Sequence, residues 1–141
     1  MANLIYGLDA ARVAENAARV REEIATAALL AGREPDAVAL LAAVKYVPLE
    51  EMDVLAEAGI EVAGENRAQD LEAKAAAHPE LTWDFIGHMQ SRKVKQVLPH
   101  VRLIHSVASD SVLRELGRHA PHLWRQRPRK PVVTSMANRP C

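Results

Sequence analysis

Residues 37–44, Ala-Val-Ala-Leu-Leu-Ala-Ala-Val, form an uninterrupted apolar run bounded by Pro35 and Pro48 and ended by Lys45. A run of this length without polar alternation reads as a parallel strand buried on both faces, residues 37–45. Lys45 then stands at the carboxyl end of a strand, where α/β barrels and open α/β sheets place their reactive groups. A lysine held there and partly desolvated loses proton affinity and becomes an amine able to form a Schiff base. The plainer alternative is a lysine that ends the strand and reaches to water.

The rest of the chain supplies the other layers. Val13, Ala17, Val20, Ile24, Ala28 and Leu29 recur at helical spacing, which predicts an amphipathic helix over about residues 9–31 with Asp9 as N-cap and Gly32 as stop. Pro48 opens a second helix that Gly59 ends. A short strand over 60–66 and an Ala-, Glu- and Lys-rich helix over 68–77 follow. A third strand is expected over 81–88, a third crossover helix over 91–98, and a fourth strand over 101–107. A helix capped by Ser109 or Asp110 then runs through Leu116. Strands alternating with helices of this length imply βαβ units and one parallel sheet. No glycine-rich dinucleotide fingerprint or phosphate loop is present.

Composition narrows the class of protein. Of 141 residues 49% are hydrophobic and 26% charged, and 18 Lys and Arg balance 18 Asp and Glu. A neutral chain has no global attraction to nucleic acid or an anionic membrane. The single cysteine, Cys141, permits no internal disulfide, and the start Met1–Asp9 lacks the basic and apolar regions of a signal peptide. A cytoplasmic protein with no membrane span is expected. From Pro121 the chain becomes basic and proline-rich, and 121–141 reads as a weakly ordered tail. Within it Arg125-Gln126-Arg127-Pro128-Arg129-Lys130 is a weak candidate for nucleic acid, with Trp124 alone to stack on bases.

Each strand exits into polar residues: Lys45-Tyr46, Glu65-Asn66-Arg67, His88-Met89-Gln90-Ser91 and His105-Ser106. In a parallel βα array these exits share one face and can surround one small-molecule site. Singly, His88 and His105 read better as hydrogen-bonded strand-end residues than as metal ligands, having no carboxylate or cysteine at ligand spacing. Arg92, Lys93 and Lys95 read as a solvated helix face.

Four segments in order now carry a resemblance: Leu41-Ala42-Ala43-Val44-Lys45-Tyr46-Val47-Pro48, Gly64-Glu65-Asn66-Arg67-Ala68-Gln69-Asp70, Trp83 to Lys93, and Ile104-His105-Ser106-Val107. Over roughly residues 5–120 the chain closely resembles the pyridoxal phosphate homeostasis proteins, relatives of the amino-terminal barrel of alanine racemase. The resemblance implies a (β/α)8 barrel with pyridoxal 5'-phosphate bound as a Schiff base on Lys45. It also implies Asn66 near the cofactor ring; His88 and Ser106, from their place at the neighbouring strand exits, are expected among the cofactor-binding residues. It implies a protein that holds and passes on the cofactor rather than one with an established turnover. A racemase-like enzyme is the alternative, needing a second acid/base residue that neither Tyr6 nor Tyr46 is placed to supply. A fragment without function is the other alternative.

The chain departs from the family at Val44, where serine or threonine is usual, at Arg92 in place of asparagine, and at Ala108 in place of aspartate. A (β/α)8 barrel takes about 250 residues, so four strands make an amino-terminal half of a TIM-like barrel, and a truncated or frame-shifted product is expected. Such a half leaves the first and fourth strands as open edges. It uncovers an inner face expected to include Leu40, Ala42, Val62, Phe85 and Ile104. Either self-association through those edges or a partly folded chain that aggregates is expected.

Overall fold

The computed structural model describes residues 4–124, with 121–124 as backbone only. The expected tail therefore lies outside the described residues, apart from its first turn, and so does the basic segment 125–130.

Helix α1, Ala10–Leu30, starts where expected: the Asp9 carboxylate accepts the Arg12 N–H at 2.8 Å, replacing one of the partners a helix start lacks. It ends at Gly32, whose φ of 69° is the left-handed conformation that favours glycine. Pro48 is the N-cap of a 3₁₀ turn, Leu49–Glu51, that leads into α2, Met52–Glu57. Gly59, with φ 76°, turns the chain into β2, Val62–Glu65. Then come α3, Ala68–Ala77, and β3, Thr82–Phe85. A 3₁₀ turn, Ser91–Lys93, continues as the single turn α4, Val94–Val97. Strand β4, Leu103–Ile104, and helix α5, Asp110–Trp124, complete the described chain. Helix α5 runs past the expected stop at Leu116 and includes Pro121, a residue with no backbone N–H to donate.

The four strands form one parallel sheet in the order β1-β2-β3-β4, so the molecule is α/β in class. The first strand is much shorter than its apolar run. Only Ala42–Ala43 joins the ladder as β1, with the Val44 N–H adding one bond to the Gly64 carbonyl at 2.9 Å. Residues 37–41 lie outside it because β1 borders β2 alone and β2 begins only at Val62. Apolar character supplies a surface to bury but not a backbone partner.

Register assigns the faces. Ala42, Ala63 and Trp83 are paired across the sheet, as are Glu65, Phe85 and Ile104. This face meets the helices: Phe85 and Trp83 are buried in one core with Met52, Leu71, Val94 and Val112. The opposite face carries Ala43, Gly64, Asp84 and Leu103 in register. Leu41 and Ile86 lie there too, since a Cβ on Gly64 would meet their side chains. The expected inner face is thereby corrected. Of its five residues only Val62 shares the Gly64 side, whereas Leu40, Ala42, Phe85 and Ile104 pack into or against the helix-side core. Among the described residues no helix is long and apolar enough to cross a membrane.

Candidate functional site at the carboxyl edge of the sheet

Lys45 follows β1 in a tight turn closed by the Val47 N–H on the Val44 carbonyl at 3.0 Å, and the neighbouring Tyr46 carbonyl accepts the Ile5 N–H at 2.8 Å. The half-buried Lys45 side chain holds its Nζ 4.9 Å from the Tyr46 ring centre, within cation–π range. It lines a hollow of about 300 Å³ together with Tyr6, Val47, Pro48, Arg67 and Asp70.

Beneath this hollow lies a buried ion pair that the sequence reading missed. Lys74, on α3, donates to Glu65 Oε1 at 2.6 Å and to the Val44 carbonyl at 2.9 Å. The other oxygen of Glu65 accepts the backbone N–H groups of Asn66 at 2.5 Å and Arg67 at 3.3 Å. The Glu65 side chain is fully buried and that of Lys74 is 7% exposed. A buried charge pair of this kind survives only when its hydrogen bonds are satisfied. Here they fasten the residue before Lys45, the end of β2 and the body of α3 into one knot. The available signal was helical phase: Ala68, Leu71 and Lys74 recur every third residue on the buried side of α3.

The next two exits are joined by a close approach. A Cβ on Gly87 would lie 2.7 Å from the Asn66 Cα and closer still to the Asn66 carbonyl oxygen, so only glycine fits there. Asn66 and His88 share a second hollow of about 170 Å³ with Arg67, Gln69, Gln90 and Lys93. Ser106 donates its hydroxyl to the Gly87 carbonyl, which ties the exit of β4 to that of β3. The structure thus gathers Asn66, His88 and Ser106 into one arc. Lys45 lies in the adjoining hollow, and Arg67 borders both.

On the open face a second buried carboxylate was also missed. Asp84 is fully buried and receives a two-pronged contact from Arg102, Nε at 3.0 Å and Nη2 at 2.7 Å, with His105 Nε2 at 3.0 Å. Hydrogen bonds donated to the accepting Asp84 carboxylate hold the Arg102 guanidinium above its usual pKa, so it stays charged. His105 is accordingly a strand-end residue engaged by a carboxylate, and among the described residues no cluster of three or more metal-ligating side chains occurs.

No protein-family profile matches the chain. Among curated proteins it is 37% identical over 111 residues to the pyridoxal phosphate homeostasis protein of Pseudomonas aeruginosa, covering 77% of this chain and 48% of that one. The protein of the same name from Aquifex aeolicus is 38% identical over 108 residues, covering 75% and 47%. Among solved structures, PipY of Synechococcus elongatus with PLP bound superposes with a TM-score of 0.66 and 33% identity, over 79% of this chain and 50% of that one. A protein of unknown function from Bifidobacterium adolescentis gives a TM-score of 0.68 and 33% identity, over 86% and 55%. The chain spans about half the length of the curated relatives it matches.

Proposed function

The chain belongs to the pyridoxal phosphate homeostasis family, and from that premise we propose that it binds pyridoxal 5'-phosphate and holds it covalently on Lys45. The observation that carries this reading is the setting of Lys45: a half-buried amine at a strand exit, in a hollow shared with the Arg67 guanidinium and an aromatic ring. When bound, the cofactor supplies an aldehyde carbon for an amine and a phosphate for a cation, and this donor set fits both. The knot of Lys74 and Glu65 fixes the Val44 carbonyl and so sets the direction in which Lys45 leaves the strand. The Asn66 amide and the His88 ring, one exit away, would contact the ring side of the ligand, and the Ser106 hydroxyl keeps lone pairs free to accept from it. The role would be that of a holder which takes up and releases the cofactor, in a cytoplasmic setting consistent with a chain of one cysteine.

Borohydride reduction after mixing with the cofactor tests the reading. The expected product is a single stable adduct, located on Lys45 by peptide mass spectrometry and absent in Lys45→Ala. Adducts scattered over surface lysines would overturn it. The open face adds a second element: Ala43 is exposed and Leu41 and Leu103 half-exposed around β1 and β4, strands with one neighbour each. Self-association through those edges is expected, and sedimentation at equilibrium showing a monomer across the micromolar range would rule it out.

A further inference from the structure

The hollow between the exits of β2 and β3 has a chemistry that the attachment of a ligand at Lys45 does not require. Its polar walls are the amides of Asn66, Gln69 and Gln90, the ring of His88, and the cations of Arg67 and Lys93. No carboxylate lines it. The two cations come from different elements, the start of α3 and the 3₁₀ turn before α4, so they approach the space from two sides. Each is held only weakly elsewhere: Arg67 lies 4.0 Å from Asp70, and Lys93 Nζ is 3.3 Å from the Gln96 amide oxygen. Contacts of that length, on an exposed Arg67 and a half-buried Lys93, exchange readily for a better anion. The ten-residue helix α3 also begins at this wall, where the Glu65 carboxylate, paired with Lys74, already takes the Asn66 and Arg67 N–H groups, so the cations of the hollow are left to side chains.

We propose that this hollow is an oxyanion site for a phosphate group, engaged by Arg67 and Lys93 from two different elements and by the neighbouring side-chain amides. At about 170 Å³ it accommodates a single tetrahedral group rather than a nucleotide. Two cations with several neutral donors suit a dianion better than a carboxylate. The site shares Arg67, Asn66 and His88 with the cofactor reading but takes no wall from Lys45, so it can be tested apart from attachment at that residue.

The test is a titration of the full chain with inorganic phosphate, followed by backbone amide shifts and compared with chloride at matched ionic strength. Saturable shifts at Asn66, Arg67, Ala68 and Lys93 are expected with phosphate and not with chloride. The double variant R67Q/K93Q should weaken the affinity about tenfold or more, as loss of two charge-assisted contacts implies. Both positions are solvent-accessible, and an unchanged melting temperature would confirm that the variant folds. Lys45→Ala should bind phosphate as the unmodified chain does, so a failure of cofactor attachment at Lys45 leaves this result standing. Shifts reproduced by chloride, or an unchanged affinity in a folded R67Q/K93Q, would overturn the proposal. Competition identifies the source of the group. Displacement of pyridoxal 5'-phosphate, but not of pyridoxal, by inorganic phosphate marks the hollow as the seat of the cofactor's own phosphate. Simultaneous binding makes it a separate phosphate site.

Discussion

Glu65 and Asp84 are both fully buried carboxylates on neighbouring strands, one on each face of the sheet. Glu65 points to the helices, and its partner Lys74 is buried with it. Asp84 points to the open face, where Arg102 and His105 are 45% and 42% exposed. The difference lies in what happens when a partner is removed. On the helix side Lys74 is only 7% exposed and Glu65 not at all, so removing the lysine would strand the charge of Glu65. On the open side solvent already reaches both partners and can follow one that leaves. The same sheet therefore holds one carboxylate as a rigid fastening and the other as an adjustable one.

The largest effect should come from Lys74→Met. Stranding Glu65 should cost about 3–5 kcal/mol in urea unfolding, and the double variant E65Q/K74M should recover much of that loss. A Lys74→Met chain with nearly unchanged stability would remove the distinction between the faces. Asp84→Asn should cost less, about 1–2 kcal/mol, because its charged hydrogen bonds are shared with half-exposed partners. The comparison inverts if Asp84→Asn proves the more damaging substitution. Labelling of Lys45 separates the two variants further: it should fall in the folded double variant E65Q/K74M, whose knot is lost, and persist in Asp84→Asn.

The smallest effect concerns pH. Glu80, in the loop before β3, is held below the usual glutamate range by its own backbone N–H and by the ring of His78, which lies at 2.9 Å. A carboxylate depressed in the folded state adds stability that is present above its unfolded pKa of roughly 4.3 and is lost as pH falls through the lower folded value. Melting temperature measured from pH 6 down to pH 3 should drop slightly less for Glu80→Gln than for the unmodified chain. An identical slope would show that this exposed contact carries no linkage.

Much of this was written in the sequence as pattern. The Asp9 cap, the bounds of α3 and the succession of four strands follow from caps, helical period and apolar runs. The faces were less legible where the run 37–44 offers no alternation to orient it. In Thr82-Trp83-Asp84-Phe85 a polar residue between two aromatics marks one side as different, yet which side meets the helices was misjudged, since Phe85 was expected on the inner face. The knot at Lys74 escaped because its partners, Val44 and Glu65, lie 30 and 9 residues away and meet only when the sheet forms. The hollow at Arg67 escaped for a similar reason, since its walls come from two consecutive strand exits.

Gly87 has a consequence for motion. With its backbone pressed on Asn66 and its carbonyl taking the Ser106 hydroxyl, the exits of β2, β3 and β4 cannot slide past one another independently. They should travel as a single bracket, their amides slow to exchange with solvent as a group. Lys45 stands outside that bracket, just beyond a two-residue edge strand, with the Val44 and Tyr46 carbonyls on either side of it held by Lys74 and by the Ile5 N–H. Any opening that admits a ligand then has to come from Lys45 and Tyr46, beyond the knot at Val44, moving against a stationary arc of the other three exits.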